Sequence, residues 1–176
     1  MNKQQKINAF DPNGYACNNG RLFGLPFDYE DAKVVVLPVP WEVTVSYSAG
    51  TAKAPNAILE ASVQVDLYDV DVEDAWKIGA YMLPISEEWE RKNKVYREKA
   101  ARYIDFLEEG GDIEESEEMQ SLLEEVNLQC RALKEWVKAE SLRLLEDGKL
   151  VGILGGEHSS PLGLIEALAT KYDDFG

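Results

Sequence analysis

Short apolar runs of strand length occur at three places along the chain. Residues 33–40 are dominated by β-branched side chains, which is typical of a strand buried on both faces of a parallel sheet. Residues 78–83 and 150–155 are further runs of this kind. We expect Pro38 and Pro40 to end the first strand, because proline cannot donate a hydrogen bond to a neighbouring strand.

Loops and helix starts follow the first and last of these runs. Residues 41–51 read as a loop that leads into a helix over residues 55–62, where a proline stands near the start. After the last strand, Ser160 fits a helix cap and Pro161 the first helical position. The apolar residues of that helix predict its buried face: Leu162, Ile165, Leu168 and Ala169.

Residues 86–148 change to the spacing of amphipathic helices. One apolar stripe precedes Gly110 and Gly111, and a second continues to Gly148. Two long helices joined by a short turn predict a helical hairpin, packed either on the same domain or on a second copy of it. Such stripes are also compatible with ordinary cover for the core.

These elements together predict an α/β fold. We expect a mostly parallel sheet covered by helices, with residues 86–148 as a helical hairpin. Residues 1–32 are rich in asparagine, glycine and aspartate and predict an irregular arm that wraps the body. The whole chain, residues 1–176, is then part of one domain.

Composition limits the classes of partner. The 176 residues are 45% hydrophobic and carry a formal charge of −15, which argues against nucleic acid and permits a cationic substrate. Residues 86–147 hold 18 acidic residues against 10 basic ones, so part of this charge can simply belong to one solvated surface. No run is long and apolar enough for a membrane helix, and a cytoplasmic location is the default expectation.

The candidate chemistry centres on His158, the only histidine, placed just after a predicted strand. Open α/β sheets build their sites at carboxyl strand ends, but one imidazole cannot complete a metal site. The ring could instead have only a structural role. A phosphate cradle at Gly155 and Gly156 is disfavoured by the neighbouring Glu157, and a nucleophilic pair with Cys17 lacks any feature that would activate the thiol. We interpret Cys17 and Cys130 as free thiols.

Two segments carry a resemblance to a known family. Residues 155–159, Gly-Gly-Glu-His-Ser, resemble the Gly-Gly-Asp-His-Ser motif of the arginase and agmatinase family of ureohydrolases. Residues 40–62, with their Gly-Thr, Pro and Ala-Ile elements, are similar to the early loop and helix of that family. The resemblance covers about residues 33–85 and 149–172, and the hairpin between them is longer than we expect for the family.

The resemblance implies a three-layer α/β/α fold with a mostly parallel sheet that is incomplete in this chain, and with residues 86–148 as a helical hairpin insertion. It also implies an enzyme that hydrolyses a guanidino or amidino C–N bond with a hydroxide bridging two manganese ions. By position, His158 matches a ligand of one metal. Candidates for supporting the ligand or lining the substrate loop are Gly155, Gly156, Glu157, Ser159, Trp41, Glu42 and Tyr47. The implied partner is a small cationic guanidino substrate, and the intact enzyme is expected to be a cytoplasmic homo-oligomer.

Two departures from the family pattern shape the expectation. Glu157 stands where the family usually has aspartate, and the later motifs that provide the other five metal ligands are absent. We therefore expect the chain to be the amino-terminal portion of a ureohydrolase, inactive by itself. The alternative is a noncatalytic binding or assembly module that uses the acidic hairpin to contact a partner.

Overall fold

The structure is a computed structural model that describes residues 1–15, 17–45 and 47–175. Ser46, which belongs to the early loop quoted above, lies outside the described residues. None of the described helices is long and apolar enough to cross a membrane. The strands are β1 (Val34–Val39), β2 (Ala80–Met82) and β3 (Leu150–Gly155), and the helices are α1 (Lys3–Ala9), α2 (Ala54–Ala61), α3 (Glu87–Glu108), α4 (Glu117–Glu146) and α5 (Leu162–Lys171).

The three strands form a parallel sheet with the order β2-β1-β3. The central strand β1 pairs with β3 along its whole length, from Val34 opposite Leu150 to Val39 opposite Gly155. The predicted α/β class and its parallel sheet are confirmed. Because the strands are parallel, all the loops that follow them emerge at one edge.

Strand β1 continues through Pro38, so the prediction that this proline ends the strand was wrong. The backbone of Val36 faces β2, since its carbonyl accepts from the N–H of Leu83 at 2.9 Å. Backbone groups of Pro38 point the same way by the alternation of a strand, and β2 has already ended at Met82. The missing N–H of Pro38 therefore removes no bond from the pairing with β3.

The hairpin, α3 and α4, packs on the sheet of its own chain. Val35, Leu37 and Val39 of β1 share one buried cluster with residues of the hairpin. Those hairpin residues are Trp89, Ala100, Val126, Leu133, Val137 and Leu144. Of the two packings that the sequence left open, the structure shows the one on the same domain.

Helix α5 uses a different face from the predicted one. Gly163 and Ala167 are its buried residues, whereas Leu162 and Ile165 are 45% and 49% exposed. A Cβ on Gly163 would lie 2.6 Å from the carbonyl oxygen of Lys134, so the backbones of α5 and α4 approach closely there. Of the other two predicted residues, Ala169 is also exposed and Leu168 is partly buried. The predicted face was therefore wrong for three of its four residues, because Gly163 and Ala167 set this contact.

Two further expectations need correction. Ser160 does not cap α5: Pro161 occupies the cap position without a side-chain hydrogen bond, and the Ser160 hydroxyl is buried against Gly155. The amino-terminal arm is not irregular throughout, because a reciprocal capping box between Asn2 and Gln5 starts helix α1.

Candidate functional site

The loops after β1 and β3 leave the sheet side by side. Val39 and Gly155, the last residues of the two strands, lie opposite each other in the register. We call residues 40–53 the β1 loop and residues 156–161 the His158 loop. This neighbourhood at the carboxyl edge of the sheet is the candidate site.

Gly156 brings the two loops into backbone contact. A Cβ added there would lie 2.6 Å from the carbonyl oxygen of Trp41 and 3.0 Å from the amide nitrogen of Ala52. Gly155 is similarly constrained, since its Cβ would come within 2.6 Å of the Ser160 hydroxyl. Both glycines are thus needed for close approach, and both are sequence-predicted candidates that lie in the site.

Glu157 ties the His158 loop to the β1 loop. Its Oε2 accepts from the backbone N–H and from the hydroxyl of Thr44, each at 3.0 Å. Its Oε1 accepts from the hydroxyl of Ser159. The carboxylate is therefore engaged on both oxygens and fixes the residues on either side of His158.

His158 itself is exposed, directly after this fixed carboxylate. A ring in that position can meet a ligand from solvent, and it is not enclosed in the core. Within residues 1–15, 17–45 and 47–175, no group of three or more histidine, cysteine, aspartate or glutamate side chains could hold a metal ion. His158 can supply one nitrogen ligand, and the described residues do not complete a metal site around it.

Glu42 closes the β1 loop on itself. Its Oε2 accepts from the N–H of Gly50 at 2.6 Å, and from the hydroxyl of Thr51 and the N–H of Ala52 at 3.0 Å each. Burial by itself would raise the pKa of the Glu42 carboxyl, but these hydrogen bonds together bring its pKa below the ordinary value. A buried, charged carboxylate at this position organises the loop.

The other two candidates in the β1 loop differ completely in exposure. Trp41 is fully buried, and its ring meets that of Trp89 on α3 at 5.6 Å in an edge-to-face arrangement. Tyr47 is 99% exposed near the tip of the loop. Trp41 packs in the core beneath the loop, whereas Tyr47 can contact solvent or a ligand.

The two cysteines lie in separate surroundings. Cys130 on α4 is partly buried, and burial together with the nearby charge of Glu157 raises the pKa of its thiol. Cys17 is exposed on the arm and lines a cavity of about 950 Å³ with Phe10 and Trp76. Because Trp76 precedes β2, this cavity lies toward the amino edge of the sheet, away from His158. The structure gives no support to pairing Cys17 with His158.

Sequence reasoning missed three side chains that hold this site. Thr44 donates hydrogen bonds to the Glu157 carboxylate, and Asn93 and Arg97 of α3 contact the backbone of the β1 loop. Polar residues on an otherwise apolar helical face are the only signal that could have pointed to the last two.

The sheet, the glycine contact and the exposed histidine define an α/β protein with its candidate site where two neighbouring loops meet at the carboxyl edge. The chain belongs to the arginase family, whose family model matches residues 32–176. The family resemblance inferred from the sequence is thereby confirmed.

Individual relatives agree with this membership. The N(1)-aminopropylagmatine ureohydrolase of Synechocystis sp. is 30% identical over 143 residues, which are 80% of this chain and 36% of that protein. The protein of the same name from Thermus thermophilus is 28% identical over 148 residues, 84% of this chain and 38% of its own length. The chain thus spans less than two fifths of these relatives.

A solved structure shares the fold. The crystal structure of agmatine ureohydrolase of Thermoplasma volcanium matches with a TM-score of 0.51 at 21% identity, over 94% of this chain and 41% of that one. The likeness supports the α/β fold described above.

Proposed function

We propose that the intact protein containing this chain is a metal-dependent ureohydrolase that cleaves a guanidino or amidino C–N bond, and that residues 1–176 form the amino-terminal part of its domain. The observation that carries the proposal is His158, exposed at the carboxyl end of β3 and flanked by a carboxylate fixed to the neighbouring loop. Family membership supplies the reaction class.

Manganese is the proposed metal, and His158 is its proposed ligand in this chain. A pair of such ions, when bound, supplies the reaction with hydroxide by lowering the pKa of bound water. The chain's own residues would hold the imidazole in place, because the Glu157 carboxylate accepts hydrogen bonds from Thr44 of the neighbouring loop and from the hydroxyl of Ser159, directly after His158. The remaining ligands would come from outside the described residues.

The proposed substrate is a small cationic guanidino compound. The formal charge of −15 favours attraction of a cation over an anion. The names of the relatives specify agmatine or an aminopropyl derivative of agmatine. A linear amine-bearing guanidine is the first compound to test, with arginine, guanidinobutyrate and formiminoglutamate in the same panel.

The test combines urea release and metal binding in the intact protein. His158→Ala is expected to lower manganese affinity by at least about 100-fold, measured by calorimetry, with loss of urea release. Thr170→Ala on the exposed side of α5 is the matched control and should change neither quantity. Unchanged manganese affinity in His158→Ala would contradict the proposal.

The noncatalytic module remains the second candidate function. In this alternative the acidic hairpin contacts a partner, and its support is the excess of 18 acidic over 10 basic residues in residues 86–147. An intact protein that binds no manganese, releases urea from none of the guanidines and releases no formamide from formiminoglutamate would support it. A homo-oligomer and a cytoplasmic location are also proposed, to be tested by sedimentation and by cell fractionation.

A further inference from the structure

Helix α3 contacts the β1 loop through two polar side chains. The Oδ1 of Asn93 accepts from the backbone N–H of Glu42 at 2.7 Å, and Nη1 of Arg97 donates to the carbonyl of Val43 at 3.4 Å. Asn93 and Arg97 are four positions apart and therefore lie on one face of the helix. Glu42 and Val43 are buried, so these two contacts satisfy backbone groups that are withdrawn from water.

Apolar packing reinforces the same contact. The rings of Trp41 in the β1 loop, Trp89 on α3 and Trp136 on α4 follow one another at 5.6 Å and 5.5 Å. Both helices of the hairpin therefore take part in holding the start of the β1 loop.

The β1 loop is held by hydrogen bonds at its two ends, and its described residues near the tip are exposed. Glu42 binds Gly50 and Ala52 at the far end of the loop, while Thr44 is bound by Glu157. The described residues between these anchors are largely exposed, with Tyr47 the most accessible of the large side chains. The part of the loop able to meet a ligand is thus short and supported from the hairpin side.

We propose that the hairpin is a positioning element for the β1 loop, and that Asn93 and Arg97 are its positioning residues. A helix that served only as core cover would need its apolar face alone. Half-buried amide and guanidinium groups aimed at the backbone of one loop are favourable only when the loop keeps this position. The inference that this position matters for substrate binding rests on the proposed function.

A loop ordered before binding reduces the entropy lost when a ligand binds. If the hairpin contact is removed, the substrate must order the loop itself, in the ground state and in the transition state alike. The free energy needed to order the loop then raises KM and leaves kcat unchanged.

The experiment compares Asn93→Leu with Asn93→Asp in the intact protein. Leucine keeps the size of the side chain and removes the acceptor, whereas aspartate keeps an oxygen acceptor at the same reach. Hydrogen exchange of residues 42–52 should become at least about fivefold faster in Asn93→Leu, as expected for one lost buried hydrogen bond, and should stay near wild type in Asn93→Asp. Arg102→Leu, farther along α3 and paired with Glu118, is the matched control and should leave exchange in the loop unchanged.

Kinetics provide the second measurement. In Asn93→Leu, KM for the guanidino substrate should rise about fivefold while kcat stays within about twofold, and Asn93→Asp should restore KM. Arg97→Met, which keeps the aliphatic stem, should show the same pattern to a smaller degree and replaces Asn93→Leu if that variant does not fold.

The outcomes separate this inference from the proposed function. Unchanged exchange in Asn93→Leu, or an Asn93→Asp variant that behaves like Asn93→Leu, would overturn the positioning role. A fall in kcat at constant KM would overturn it as well. If the intact protein hydrolyses no guanidine, the proposed function fails, and the exchange measurement still decides whether the hairpin positions the loop.

Discussion

Glu42 determines the conformation of the β1 loop at the level of a single residue. One carboxylate oxygen accepts three hydrogen bonds from residues 50–52, and the group is buried. Charge-assisted bonds of this kind are stronger than bonds between neutral groups, which is why they outweigh the cost of burial. One oxygen of the side chain that we predicted as a possible substrate contact is therefore engaged by its own loop.

Glu42→Gln should destabilise the protein by about 1–3 kcal/mol at pH 7, because the amide is a weaker acceptor and brings unpaired donors. The pKa of Glu42 is lowered in the folded state, so its contribution is present above the ordinary carboxyl pKa and is lost as pH falls through the lowered value. Urea unfolding at pH 7 and at about pH 3 measures this difference.

The difference in free energy of unfolding between wild type and Glu42→Gln should be smaller at the acidic pH. Glu60→Gln on the exposed side of α2 is the matched control and should cost little at either pH. An equal difference in free energy of unfolding at both pH values would show that the charge of the carboxylate does not stabilise the loop.

Sequence reasoning located some of these residues and missed others for a physical reason. Gly155, Gly156 and His158 form a compact motif whose glycines permit close backbone approach, and the structure shows that approach. Thr44 and Asn93 act on partners 113 and 51 positions away, and no local spacing encodes such contacts. These contacts can be identified only from the three-dimensional structure, which brings the two loops and α3 together.

Helices were predictable in extent and less so in the face they bury. The hairpin follows a regular apolar period, and its two helices lie on either side of the predicted break at Gly110 and Gly111. In α5 the apolar residues Leu162 and Ile165 are exposed, because the contact with α4 depends on the absence of side-chain volume at Gly163. The hydrophobic pattern of a sequence shows the positions of apolar side chains. It does not predict where two helix backbones pack closely.

Gly163→Ala should destabilise the protein by about 1–3 kcal/mol, despite the better helix propensity of alanine, because the added methyl overpacks the contact. Its Cβ would lie 2.6–2.7 Å from backbone and side-chain atoms of Lys134, Val137 and Lys138. Thermal unfolding checks this result, with Leu162→Ala on the exposed face as control. A Gly163→Ala variant more stable than wild type would mean that α5 and α4 are not packed this closely.

At the scale of the whole molecule, apolar side chains are exposed on β3 and on α5. In the described part of the chain β3 has no strand on its outer edge, and Leu150 is 54% exposed. Leu162 and Ile165 are exposed on the outer face of α5. Exposed apolar surface of this kind binds hydrophobic dyes and promotes association.

A polypeptide of residues 1–176 is therefore expected to bind a hydrophobic dye such as ANS. Ile165→Lys should reduce the dye fluorescence, because it places a charge on the exposed face of α5. Val95→Lys on α3 changes an equally exposed residue elsewhere and should have little effect. Equal fluorescence from Ile165→Lys and wild type would contradict a role for this face.

The pairing of β1 with β3 also constrains the order of assembly during synthesis. Thr44 and Glu157 are 113 positions apart, and the whole hairpin lies between them. Contacts so distant along the chain close slowly, after local helices have formed. A ribosome that has made the first strand must therefore finish both long helices before the β1 loop and the His158 loop can come into contact.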